Sequence, residues 1–249
     1  MQKIKDGFWT WNQPQLLSLF VTILIIFIIS LVVFIKIKRE SKPDKAPSKT
    51  ILVAESYVQL IDNNYDDVSG GKLPSARFYI FSVTTFLLVG NMLGLIGIDP
   101  IASSYSITLT LGAITFFGIY VIGIWFQKWY FFLRYVKNPT EFLGQFSPLI
   151  SLGLRMFGNI VGGAVIMAST YYAGGWLWGL IFPGPQLYFF SVILTPWMHL
   201  FFDVFGAVVQ ALIFTVLTTI YWTNEVDNNL PKKHNKSKRK VISLNKGIY

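Results

Sequence analysis

The chain has 249 residues, of which 53% are apolar, 17% aromatic and only 13% charged. A soluble domain carries about 25% charged residues, so this composition excludes one and indicates a helical protein built to sit in lipid. It contains no cysteine, which removes disulfides, thiol nucleophiles and Cys-ligated metal sites. The net charge of +9 is clustered between apolar runs, the pattern of orientation signals rather than of a nucleic-acid surface.

Lys3 and Lys5 precede the first apolar run, as in a signal peptide. That run, 16–35, is of membrane-spanning length and lacks a small-residue cleavage site, so it reads as a retained first span with Trp9 and Trp11 at its interface. A basic, Pro-containing loop follows over 36–49. Residues 51–65 set Val53, Tyr57, Leu60 and Ile61 at helical spacing among polar neighbours, which predicts an amphipathic helix on the membrane surface. Two further spans are expected at 79–96 and 107–126, joined through the glycine-rich GNMLGLIGIDP (90–100).

A short amphipathic segment with Lys128, Arg134, Lys137 and Glu141 leads into a fourth membrane helix at 148–172. After a Gly, Trp and Pro turn over 173–185, the last helix occupies 186–222, with Pro196 predicting a kink or break. A basic tail closes the chain over 223–249. The expected fold is therefore an all-α polytopic membrane protein with a single membrane domain. It has about five membrane helices plus a surface amphipathic helix, and the last two membrane helices form a long, strongly tilted hairpin. With the N-terminus outside and the C-terminus in the cytoplasm, eighteen of the 21 Lys and Arg fall on the inner side, as the positive-inside rule requires. The location expected is the cell membrane.

Ionisable residues inside the last two membrane helices are few. Arg155 lies in SPLISLGLRMFGNIVGGAVIM (147–167), where a permanently charged guanidinium costs several kcal/mol and so marks a functional site once a partner is named. Arg155, Asn159 and Gly162 or Gly163 share one helix face by spacing. Gly153, Gly158, Gly162 and Gly163 keep that helix slim, either for packing within the chain or for a partner helix passing close by. On the last helix, His199, Asp203, Gly206 and Gln210 again share a face. They read either as an ion relay or as half of a static Arg155–Asp203 pair, and His199 alone also fits an interfacial position. Glu141 near the inner surface and Asn91 at the outer end of the second span each have a bland alternative: a solvated carboxylate, and an amide that satisfies backbone. No P-loop, GxSxG or HExxH occurs, and no internal repeat is evident, so neither an enzyme nor an inverted-repeat transporter has a motif to rest on.

SLGLRMFGNIVGG (151–163) resembles the arginine-helix motif of the a subunit of rotary F-type ATP synthases. AVVQALIFTVLTTIYW (207–222) resembles the end of that family's last helix, and GNMLGLIGIDPIASSYSITLTL (90–111) its Asn-Leu-x-Gly-Leu-x-Pro segment. The likeness covers roughly residues 78–222. It implies a non-catalytic stator subunit that forms two ion half-channels against a ring of c subunits, with peripheral-stalk b subunits as further partners. Protons or sodium ions would be the cargo, no cofactor is implied and no nucleic acid is involved.

By motif position the resemblance assigns ion translocation to Arg155, Asn159, Gln210, Glu141 and Asn91, with Ser151 opening the motif. Three departures stand out. Ala164 and Asp203 occupy positions where some relatives carry Glu and His, and the expected proline is displaced to Pro100. The polar function at that contact then falls to Asp203, helped by His199. The alternative reading is a stand-alone secondary transporter or ion channel using Arg155 and Asp203 as its substrate site.

Overall fold

A computed structural model describes residues 14–40, 47–129, 131, 139–182, 184 and 187–227, and among them every regular element is helical. Seven α-helices follow in chain order: α1 (Pro14–Glu40), α2 (Lys49–Ser69), α3 (Arg77–Met92), α4 (Tyr105–Gln127), α5 (Pro139–Ile181), α6 (Phe189–His199) and α7 (Gly206–Asp227). A π-helical segment, Leu200–Phe205, joins α6 to α7 without a break. Among the described residues five helical stretches are long and apolar enough to cross a membrane: Gln15–Glu40, Pro74–Ile96, Tyr105–Gln127, Leu149–Ile181 and Phe189–Asp227. Large apolar side chains such as Phe20, Phe27, Trp125, Trp176 and Trp197 point outward along them, as lipid-facing residues must.

The core lies where α3, α4, α5 and α7 meet. Leu87, Ile101, Leu111, Leu152, Met156, Ala211 and Phe214 form one buried cluster there. Several polar groups buried between these helices pair locally, whereas the Asn91 Nδ2 has no hydrogen-bond partner among the described residues. The Trp222 indole N–H donates to the Thr115 carbonyl at 3.0 Å, and the Thr115 and Thr218 hydroxyls meet at 3.2 Å. At the far end of the same pair of helices, the buried Gln127 amide donates to the Glu225 carbonyl (2.7 Å) and carboxylate (2.9 Å). α1 joins the bundle chiefly near Ser18 and Thr22, both fully buried. Small side chains let backbones approach closely there.

α2 is the amphipathic helix expected at 51–65, lengthened to Lys49–Ser69, and it buries Ile61, Tyr65 and Ser69. Gly70 ends it with a left-handed φ of 57°, a conformation glycine adopts without penalty. Arg77 pairs with Asp66 (2.5 Å) and Asp62 (3.7 Å), clamping α2 onto α3. Burial pushes the Tyr57 and Tyr65 phenols above their usual range, so both keep their protons.

Several boundaries differ from the sequence reading, each for a physical reason. α5 begins at Pro139 rather than 148 and runs on to Ile181, through the segment read as a turn. Its Gly174 and Gly175 are helical because α6 packs directly on them. A Cβ at Gly174 would collide with the Ser191 hydroxyl, and one at Gly175 with the Tyr188 ring. The helix at Pro196 does not break; the irregularity is the π segment that starts four residues later. Residues 223–227, assigned to the tail, belong to α7. Residues 132–138, part of the expected amphipathic segment, and the tail from 228 lie outside the described residues.

Candidate functional site

α5 divides its surface by chemistry. Leu152 and Met156 are 1% and 0% exposed and enter the core. Arg155, Gly158 and Asn159 are exposed. Among the described residues the Arg155 guanidinium has a single neighbour to bond, the Ser151 hydroxyl 3.5 Å from Nη2, which is at the limit of a hydrogen bond. Among the described residues no carboxylate lies within ion-pair distance of it. The static Arg155–Asp203 pair is therefore not formed.

Asp203 has another partner. Its Oδ2 lies 2.7 Å from His199 Nδ1, and its side chain is 10% exposed against 42% for the imidazole. Both sit beside an open cleft of about 500 Å³ bounded by α5, the π segment and the turn from Gly94 to Ser103. Asp99, Ser103, Asn159, His199 and Asp203 supply its polar lining, while Ile160, Val165 and Phe202 supply apolar walls. One buried carboxylate, one imidazole and one amide thus face the same aqueous-sized space, an arrangement able to receive a cation or pass a proton.

The π segment explains why Gln210 does not join them. Its wide turns, marked by the Gly206 N–H reaching back to the Phe201 carbonyl, advance fewer degrees per residue than an α-helix. The face that carries His199 and Asp203 consequently does not continue to Gln210, which is 3% exposed among the core residues Ala207 and Ala211. Asn159 does reach this helix, its Nδ2 lying 3.8 Å from where a Cβ on Gly206 would be. π segments recur at functional sites, and Pro196, which withholds one backbone N–H, was the only sequence sign of this one.

The glycines of α5 serve both readings. Gly153 packs against α4, its Cβ position 3.7 Å from the Leu109 Cα, and Gly163 receives Phe202. Gly158 and Gly162 meet nothing within 4 Å, which leaves the arginine-bearing side bare. Asn91 lies apart from the cleft, 1% exposed, with its Oδ1 accepting the Ala102 N–H at 3.2 Å. Glu141 falls in the opening stretch of α5, and its side chain is outside the described part of the structure. One contributor was not singled out from sequence: Gly94, whose Cβ position lies 3.1 Å from the Asp203 carboxyl carbon.

The chain matches the family of ATP synthase A chains over residues 17–223. It is similar to ATP synthase subunit a of Mycoplasma pneumoniae, with 31% identity over 84% of this chain and 77% of the relative. It is also similar to ATP synthase subunit a of Lysinibacillus sphaericus, with 26% identity over 91% of this chain and 97% of the relative, and to that of Helicobacter pylori P12, with 26% identity over 88% and 93%. A family match across more than 200 residues, on an all-helical fold whose described residues include five helical stretches able to cross a membrane, places this chain in the ATP synthase A chain family.

Proposed function

We propose that this chain is the non-catalytic stator subunit of a rotary ATP synthase, standing in the cell membrane beside a ring of c subunits and braced by b subunits of the peripheral stalk. The observation that carries this reading is an exposed Arg155 without a carboxylate partner, on a helix side left bare by Gly158 and Gly162. A permanent charge so placed is costly unless a partner carboxylate arrives from outside the chain. Carboxylates on a turning ring supply that partner repeatedly, and each is released as the next arrives.

The chemistry follows from charge. Arg155 holds an arriving carboxylate ionised. It cannot deprotonate, so it passes no proton and repels cations from a direct leak. An ion, a proton or sodium, enters through the cleft past His199 and Asp203 and neutralises a ring carboxylate, with Asn159 alongside. The neutral site then faces hydrocarbon, which a charged one could not do. It discharges toward the cytoplasm near Glu141. Each charge crossing delivers about 2.3 kcal/mol per 100 mV.

Replacing Arg155 with Ala is expected to abolish coupled ATP synthesis in energised membrane vesicles while leaving the complex assembled. Persisting synthesis would overturn the assignment. A stand-alone transporter is disfavoured, because its substrate pair, Arg155 with Asp203, is not formed.

A further inference from the structure

We infer that Gly94 is a positioning residue for the Asp203 carboxylate: the bare backbone at 94 is what lets that carboxylate stay docked on His199 at the wall of the cleft. The inference rests on reading the cleft as the ion entry route.

Three surfaces hold the Asp203 side chain. Its own backbone is fixed in the π segment, and His199 Nδ1 sits 2.7 Å from Oδ2. Gly94 closes the third side. A Cβ built there would lie 3.1 Å from both Cγ and Oδ2 and 3.4 Å from Oδ1, well inside the roughly 3.5–4.0 Å at which carbon atoms attract. The carboxylate therefore rests directly on main chain.

Torsion does not account for a glycine at this position. The glycines with left-handed φ are Gly70, Gly71 and Gly97, and Gly94 is not one of them. Gly97, three residues on, is the opposite case: its φ is 77° and a Cβ there would meet nothing within 4 Å. Gly97 serves the turn, whereas Gly94 serves a neighbour across space.

The 94 backbone cannot withdraw to make room. It is held in a 3-10 turn, Leu93–Ile96, whose Gly94 carbonyl accepts the Gly97 N–H at 3.1 Å and whose Leu93 carbonyl accepts the Ile98 N–H at 3.2 Å. The Leu93 side chain anchors that turn at 4% exposure. A methyl group at 94 must consequently push the carboxylate aside by a few tenths of an ångström, which disturbs its contact with His199.

The test uses the assembled complex in membrane vesicles stripped of the catalytic sector. Passive proton flux is driven by an imposed potential in sodium-free buffer and read with a pH-sensitive dye. Gly94→Ala is expected to lower flux about tenfold, the scale on which contacting groups couple, and Asp203→Ala is expected to lower it comparably. The double variant should be no slower than Asp203→Ala alone, because without the carboxylate the added methyl displaces nothing. Additive losses, or wild-type flux in Gly94→Ala while Asp203→Ala is slow, would overturn the positioning role and leave the entry route standing. Wild-type flux in Asp203→Ala would overturn both. Should Gly94→Ala fail to assemble with the ring, the double variant is expected to assemble as Asp203→Ala does. Failure of the double variant as well would make Gly94 a packing residue and sink the inference.

Discussion

Asn91 and Asp203 are polar side chains enclosed by an apolar protein, and they are enclosed for different ends. Asn91 gives its oxygen to the Ala102 N–H, which holds the turn between α3 and α4. Replacing it with Leu removes that acceptor and leaves a buried N–H unpaired, which costs about 1–3 kcal/mol. The expected outcome is a lower melting temperature of the full chain in detergent, and unchanged melting would assign Asn91 another role. Asp203 instead faces a cleft, and Asp203→Asn is expected to slow passive ion flux strongly without lowering the melting temperature. Arg155, His199 and Asp203 were legible in the sequence because an ionisable group stands out against Leu, Ile and Phe. Gly94 was not legible. A glycine advertises torsional freedom, whereas the reason for this one is an atom on a different helix.

Among the elements, the hydrophobic runs placed all five crossings but misjudged where the helices end. Glycine and proline weigh against helix in isolation. In α5, however, Gly174 and Gly175 are occupied by contacts from Ser191 and Tyr188, and packing overrides propensity. The two kinds of glycine on this one helix separate experimentally. Gly174→Leu is expected to force α5 and α6 apart and destabilise the full chain by about 1–3 kcal/mol, the usual cost of overpacking, seen as a lower melting temperature. Gly158→Leu meets open space and is expected to leave melting within about 0.5 kcal/mol. It should nevertheless abolish ATP-driven ion pumping by the assembled complex, and normal pumping would show that no partner helix approaches there. The π segment was invisible to periodicity, which assumes a constant angle per residue.

At the scale of the whole molecule, the asymmetry of charge was readable at once: Lys and Arg gather in the loops assigned to one side. That asymmetry predicts a labelling pattern, and the lack of native cysteine makes it directly measurable. A cysteine introduced at Gly184 is expected to react with a membrane-impermeant maleimide in intact cells, and one at Lys72 only in inverted vesicles. The reverse pattern would invert the topology. Lys72 and Asp227 form an ion pair at 2.5 Å. As a pair about 40% exposed, it contributes no more than about 1 kcal/mol.

The length of α5 has a mechanical consequence. Its apolar stretch, Leu149–Ile181, has 33 residues, roughly 50 Å of helix at 1.5 Å per residue. A hydrocarbon layer about 30 Å thick cannot hold that length upright, which favours a leaning helix. An upright helix gliding past a leaning one touches it over a turn or two, not along a seam. The sliding surface becomes a small bearing, with little area to unstick at each step and friction kept low. On the function proposed above, Arg155 and the open glycines would lie on that contact, so the geometry that limits adhesion would also bring the charge to the place where a passing carboxylate can feel it.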